Sequence, residues 1–191
     1  TMHTMLGTRQ RFNRFSMEEL LPPLCTATRA FAKDASFLPS GESAMAHCLW
    51  SGIAGLGCVV ADLSEGSSTG GHAQDACHQV MKSMRKSVDN SAYVGRPGIL
   101  GGELGVLLSA AHIGSRMGDS AYIDWVKEAT IRFCKNLHPE TDRKLDFGAG
   151  GAGTVCGVIW LSRKLHVDNR ATVQRLVLHL ISALAKLPGG F

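Results

Sequence analysis

Charged side chains are scarce in this sequence: Asp, Glu, Lys and Arg make up 19% of 191 residues, while hydrophobic residues make up 45%. Disordered chains show the opposite balance, so a folded domain with a buried core is expected. The net charge is only +4, from 20 basic and 16 acidic residues. The basic residues are scattered, and a nucleic-acid-binding surface needs them clustered, so that class is not indicated. Aromatics are few at 6%, and there are six prolines. No segment shows sustained strand alternation, which leaves an all-α chain.

Also missing is any C-x-x-C pair among the six cysteines, Cys25, Cys48, Cys58, Cys77, Cys134 and Cys156. Most sit in apolar or helix-like runs, so they read as buried thiols in a reducing compartment, and a cytoplasmic location is expected. The opening Thr1 to Arg14 carries three arginines and no apolar stretch, so it is not read as a signal peptide. Ser43 to Ala61 is 19 residues without Asp, Glu, Lys or Arg, near membrane-span length. It contains His47 and three glycines, so it reads as a buried helix and not as a span.

What the chain does have is glycine in phase. Apolar, glycine-led segments start near Ser51, Gly101 and Gly150, and their G-x-x-G cores place Gly55, Gly105 and Gly153 at separations of 50 and 48. About two or three G-x-x-G pairs are expected by chance. Six occur, all within these three clusters. Amphipathic helices alternate with them. Ala73, Ala76, Cys77, Val80, Met81 and Met84 form one apolar face, as do Tyr122, Val126, Ala129 and Phe133. The last such face is Val173, Leu176, Val177, Leu180, Ile181 and Leu184, with Arg170, Gln174, Arg175 and Lys186 opposite. At the other end, Ser16-x-x-Glu19 reads as a capping box with Phe15 stapled on Leu20, and Pro22-Pro23 predicts a break before Leu24.

A helix apolar all round must be surrounded by protein, and glycines three apart allow backbones to approach on one face. An inner ring of glycine-led helices wrapped by amphipathic outer ones satisfies both patterns, which predicts an α/α barrel or toroid. A solenoid of HEAT-type hairpins has similar periods but leucine-rich signatures, so the toroid is preferred.

The motifs Gly52-Ile-Ala-Gly55, Gly102-Glu-Leu-Gly105 and Gly150-Gly-Ala-Gly153 resemble the inner-helix openings of the lanthionine synthetase C-like (LanC-like) family of bacterial lanthipeptide cyclases and eukaryotic LanC-like proteins. The resemblance covers roughly residues 40 to 187. It implies a seven-fold α/α toroid, for which seven repeats would need about 350 residues. The chain is therefore expected to be the N-terminal half, an incomplete barrel. Residues 1–39 would hold an N-terminal segment with the first outer helix, and 40–191 the first three inner-helix repeats.

The activity implied is zinc-dependent addition of a thiol, from a peptide cysteine or glutathione, to a dehydroamino acid, forming a thioether. Zinc lowers the thiol pKa, and a general acid then protonates the enolate carbon. The family's zinc ligands lie in tryptophan-cysteine-tyrosine-glycine-like and cysteine-histidine-glycine segments, and neither occurs here. No metal ligand is assigned to this chain, and it is expected to be inactive alone. Cys77-His78 and His47-Cys48 read as core packing, since adjacent helical residues point about 100° apart.

By resemblance, Asp146, four residues before Gly150, is the candidate acid–base group at the barrel mouth; as an N-terminal helix carboxylate it could equally cap backbone amides. The resemblance also allows peripheral association at the plasma membrane without a transmembrane segment, and self-association through an open barrel edge. The alternative function is a non-catalytic helical-repeat module binding glutathione, a peptide or a protein. A carbohydrate-active α/α barrel would need paired carboxylates; Asp146 has no evident partner, although Glu103 starts an inner helix and offers a second carboxylate to test. Gly148-x-Gly150-x-x-Gly153 fits a dinucleotide fingerprint formally, but the polar Thr141 to Asp146 cannot be the buried strand it requires. Trp50, Trp125 and Trp160 read as core or barrel-lining, His112 and His179 as structural or surface groups, and Arg96-Pro97 as unranked neighbours of the mouth.

Overall fold

Seven bounded α-helices and no strand are found among the described residues of the computed structural model, which are 17–35, 46–49, 52–64, 70–93, 96–138 and 145–187. We number them α1 (Met17–Ala35), α2 (Ile53–Leu63), α3 (Gly70–Asp89), α4 (Glu103–Met117), α5 (Ser120–Asn136), α6 (Gly151–Leu165) and α7 (Arg170–Leu184). The all-α expectation holds.

The two helix types form two layers. Among the glycine-led helices, α4 packs against both α2 and α6. On the other side α1 packs on α2 and α3, α3 on α2 and α4, α5 on α4 and α6, and α7 on α6. The core lies where the layers meet. Ile53, Val60, Val80, Met81, Leu104, Leu107, Ile113, Val126, Val158 and Leu161 are all completely buried there. The amphipathic face read for α3 is fully inside, from Ala73 to Met84.

The face read for α7 is not. Of its six apolar positions only Leu176 is buried, and Ile181 is 53% exposed. The contacts differ: α3 packs on both α2 and α4, and α5 on both α4 and α6, whereas α7 packs on α6.

Two sequence expectations fail locally. The charge-free run 43–61 is not one helix: Ala46 and His47 are helical, the chain turns at Cys48–Leu49, and α2 starts after Gly52, whose N–H donates to Cys48 O at 3.1 Å. No helix among the described residues is long and apolar enough to cross a membrane. Nor does the first helix break at Pro22-Pro23; α1 runs through both. Each proline removes one N–H, but both lie in its second turn, so the carbonyls affected belong to its first turn. Burial of Leu21, Cys25, Thr28, Ala32 and Ala35 on one face outweighs that loss. Phe15 and Ser16, the proposed staple and cap, lie outside the described residues.

The phased glycines have a specific job. Gly52, Gly102 and Gly150 are the N-cap residues of α2, α4 and α6, with φ of −115°, −127° and −118°, values any residue accepts. Space is what demands glycine. A Cβ on Gly55 would overlap the carbonyl oxygen of Leu49, one on Gly105 that of Ile99, and one on Gly153 that of Phe147. In each case the obstructing carbonyl belongs to the residue six positions earlier. The same offset recurs at Gly52, whose Cβ would lie 2.5 Å from Ala46 O, and at Gly102 against Arg96 O. The close backbone approach inferred from sequence is therefore real. However, the partner is the repeat's own incoming loop, folded back over the first turn of its helix, and not a neighbouring helix.

Adding a methyl at these junctions forces backbone to move. Gly105→Ala and Gly153→Ala are each expected to lower unfolding stability by about 2–3 kcal/mol or more, read from urea denaturation midpoints. Gly71→Ala, with nothing within 4 Å of its Cβ, is the control and should change stability by less than about 1 kcal/mol. Equal effects at the two kinds of position would sink this account of the junction.

Candidate functional site

The repeat register also places the side chains of a cavity of about 370 Å³ on the inner layer. Leu49, Ile99 and Phe147, whose carbonyls cover the glycines, are among its lining residues. Three residues after the second glycine of each repeat come Cys58, Leu108 and Cys156, and all three line the cavity. Seven residues after it come Asp62, His112 and Trp160, of which His112 and Trp160 are lining residues. Equivalent positions on the three glycine-led helices thus line one cavity, because residues three and seven after a helix position share one face.

Asp62 does not line the cavity, but it holds one residue that does. Its Oδ1 accepts from His112 Nε2 at 2.9 Å and from Arg116 Nε at 2.9 Å, tying α2 to α4. His112 is 33% exposed and Asp62 45%, so the pair is only moderately screened by protein. Ser109 spends its hydroxyl on Gly105 O, one turn back in its own helix. Cys58 directs its thiol to Ser109 O at 4.0 Å, and burial raises its pKa. Burial likewise pushes Cys77 up to about 12 and Cys134 up to about 11. Cys156 is the exposed thiol among the six.

Asp146 is exposed and lies just outside this cavity, beside Phe147, which lines it. Its Oδ1 accepts from Ala149 N–H at 2.7 Å, closing the turn that feeds α6. That turn packs on the preceding repeat, with Leu100 N–H donating to Gly148 O at 2.9 Å. The capping role is thus directly visible. Glu103, the carboxylate considered as its partner, is not a lining residue. Burial raises its pKa to about 7, opposed by the Arg132 guanidinium of α5.

In the cysteine–histidine pairs, Cys77, His78 and His47 have hydrogen-bond partners within the protein. Cys77 directs its thiol to Gly57 O, while His78 Nδ1 meets Tyr122 OH at 3.2 Å. His47 is fully buried and its Nε2 donates to Ser83 Oγ at 2.8 Å, which in turn donates to Ala32 O. Trp125 is core, stacked under Arg85, and Trp160 faces the cavity; Trp50 lies outside the described residues. His112 is the functional candidate that sequence reading passed over. Its signal was register: it occupies the position equivalent to Asp62 and Trp160, one repeat away from each. No protein-family model, curated protein or solved structure matches the chain.

Two outcomes follow from these environments. Asp146→Ala should cost about 1 kcal/mol by losing the turn cap, whereas Asp146→Asn should keep it, both measured by thermal unfolding. For Glu103, the folded pKa lies above the ordinary carboxyl value. The folded chain therefore retains a proton that the unfolded chain loses, and stability falls as pH rises from about 4.5 to about 7. Glu103→Gln should flatten that slope and gain on the order of 1–2 kcal/mol at pH 7.5, discounted for partial solvent access. A pH–stability curve unchanged by the substitution would contradict this assignment.

Proposed function

We propose that this chain is a wall of a LanC-like α/α toroid, and that its inner-layer cavity belongs to the chamber where a thiol adds to a dehydroamino acid. The observation that carries the reading is the thrice-repeated glycine–carbonyl junction, at spacings of 50 and 48, on helices that pack side by side in one layer. The thiol would come from a peptide cysteine or from glutathione.

The zinc of that chemistry has no place among the described residues. No group of three or more His, Cys, Asp or Glu able to hold a metal occurs among the described residues. We therefore derive no step through a metal on this chain. What its own residues contribute is an apolar seat for the segment flanking the reacting residue, with Asp146 at the rim as an exposed proton carrier. A second reading, a non-catalytic module binding glutathione, a peptide or a protein, draws on the same apolar cavity. Association with a membrane surface or with another copy, and a cytoplasmic location, belong to the toroid reading as further proposals.

The deciding assay uses a dehydroalanine peptide with glutathione or a cysteine peptide. It compares residues 1–191 with a longer protein that adds repeats bearing a cysteine-histidine-glycine motif. Thioether product with stoichiometric zinc is expected from the longer protein only, with Asp146→Asn lowering turnover about 100-fold at unchanged stability. Peptide binding without product in either would favour the second reading. Absence of both product and binding would end both.

A further inference from the structure

Surface hydrophobic residues are unevenly placed along the array of helices. Outside the inner-layer cavity, the helices expose Leu20 and Phe31 on α1, Val59 on α2, Ile131 on α5, and Val177, Leu178 and Ile181 on α7. Among the described residues, all but Ile131 thus lie on the two helices at one end of the array or on the outer helix at the other. Apolar surface gathered in this way marks an interaction site. We infer that the two ends are the halves of one contact, by which copies of this chain join end to end, the α1–α2 edge of one against the α6–α7 edge of the next. The inference names the surfaces for the pairing of copies that the toroid reading allows, and to that extent rests on it; the thiol chemistry plays no part.

Repeat register shows which face of each inner helix is uncovered. Val59, Ser109 and Gly157 are equivalent, each four residues after the second glycine of its repeat. Ser109 is 2% exposed, and its carbonyl accepts from Cys58 of the preceding inner helix at 4.0 Å. Gly157 is buried, and a Cβ there would lie 2.5 Å from Leu104, also of the preceding inner helix. Val59, at the same register on α2, is 47% exposed. The other face shows the converse. Cys58 and Leu108 are half-buried, whereas their equivalent on α6, Cys156, is exposed. Among the described residues, α2 has no inner helix on one side and α6 has none on the other.

A second copy fits because the chain already fills the same groove twice. Between α6 and α7 runs a groove of about 900 Å³, walled in part by Ile159, Val173, Val177 and Leu178. The corresponding grooves inside the chain each hold a glycine-led helix: α4 packs on α2 and α3, and α6 packs on α4 and α5. By the same geometry the α6–α7 groove takes α2 of another copy. That brings Val59 to Cys156 as Ser109 is brought to Cys58.

Charge selects unlike edges over like ones. By sequence, residues 151–184 hold Arg163, Lys164, Arg170 and Arg175 against Asp168. In contrast, α1 and α2 hold Glu18, Glu19, Asp34 and Asp62 against Arg29 and Lys33. Two α6–α7 edges repel each other, and the basic edge attracts the acidic one. Since the two surfaces differ, the contact is heterologous, and a joined pair still offers one edge of each kind until a ring closes.

The test is the oligomeric state of residues 1–191, by light scattering and sedimentation from micromolar to submillimolar concentration. Association that weakens with added salt is expected. Val59→Asp and Ile181→Asp, each at a half-exposed position, should each weaken it about tenfold or more with unchanged circular dichroism. Mixed one to one, the two variants should form a heterodimer and nothing larger, because one intact edge of each kind remains. Val59→Cys treated with diamide should give an intermolecular disulfide between the introduced thiol and Cys156, located by peptide mapping. A chain that is monomeric at every concentration overturns the proposal, and leaves these edges to a different protein or to further chain. So does an associated chain in which that disulfide is absent. Association lost with Ile181→Asp but not with Val59→Asp, and no heterodimer on mixing, also overturns it, as a pairing of like edges. None of these results bears on thioether formation by the longer protein, so the two proposals fail separately.

Discussion

The structure depends on one steric relation: a main-chain carbonyl laid against the α-carbon of a glycine six residues later. That contact occurs at Leu49–Gly55, Ile99–Gly105 and Phe147–Gly153. It sets where each inner helix begins, because the loop must fold back over the first turn before the chain can continue. It also sets how closely the loops of successive repeats can lie. Gly98 has Ala149 Cα within 2.6 Å of where its own Cβ would stand, so one repeat's entry turn rests on the next repeat's backbone. A side chain at any of these points would separate the loop from its helix.

From that relation the layering follows. Inner helices started by a tight junction can be short and apolar, since protein covers them on several sides. The outer helices then need only one apolar face, and the next inner helix covers part of it. The apolar face of α3, packed on two glycine-led helices, is buried, and that of α7, packed on α6, is largely exposed. Buried polar links reinforce it: His47, Ser83 and Ala32 form a fully buried relay joining the segment before α2 to α3 and α1. Breaking such a relay leaves an unsatisfied donor or acceptor in the core, which costs more than the bond contributes.

Much of the fold was legible because it rests on periodicity. Helix type, the alternation of two helix classes and the faces of α3 and α5 come from apolar spacing, which local burial enforces. Less was legible at the ends. Pro22 and Pro23 argue for a break by local rules, yet with Leu21, Cys25 and Thr28 packed on one face α1 stays helical through them. The apolar stripe on α7 reads like that of α3, but a stripe states only what a helix would bury, not whether something lies against it. At the site, Asp146 attracted attention through its motif, and the structure shows it accepting from Ala149 N–H in the turn before α6. His112 drew little, because a lone histidine in a helix carries no local mark, and its partner Asp62 is a full repeat away.

The amino-acid order alone determined the helical class, the number of glycine-led segments and the common register of Cys58, Leu108 and Cys156, since these are matters of spacing along one chain. Tertiary structure decided what fills the space against each glycine, which thiol is open and which imidazole is held by a carboxylate. The physical reason is that a backbone carbonyl looks the same in every residue, so its approach to Gly153 leaves no letter in the sequence. Exposure and pairing likewise belong to no single residue; they arise only when helices some fifty residues apart are brought together.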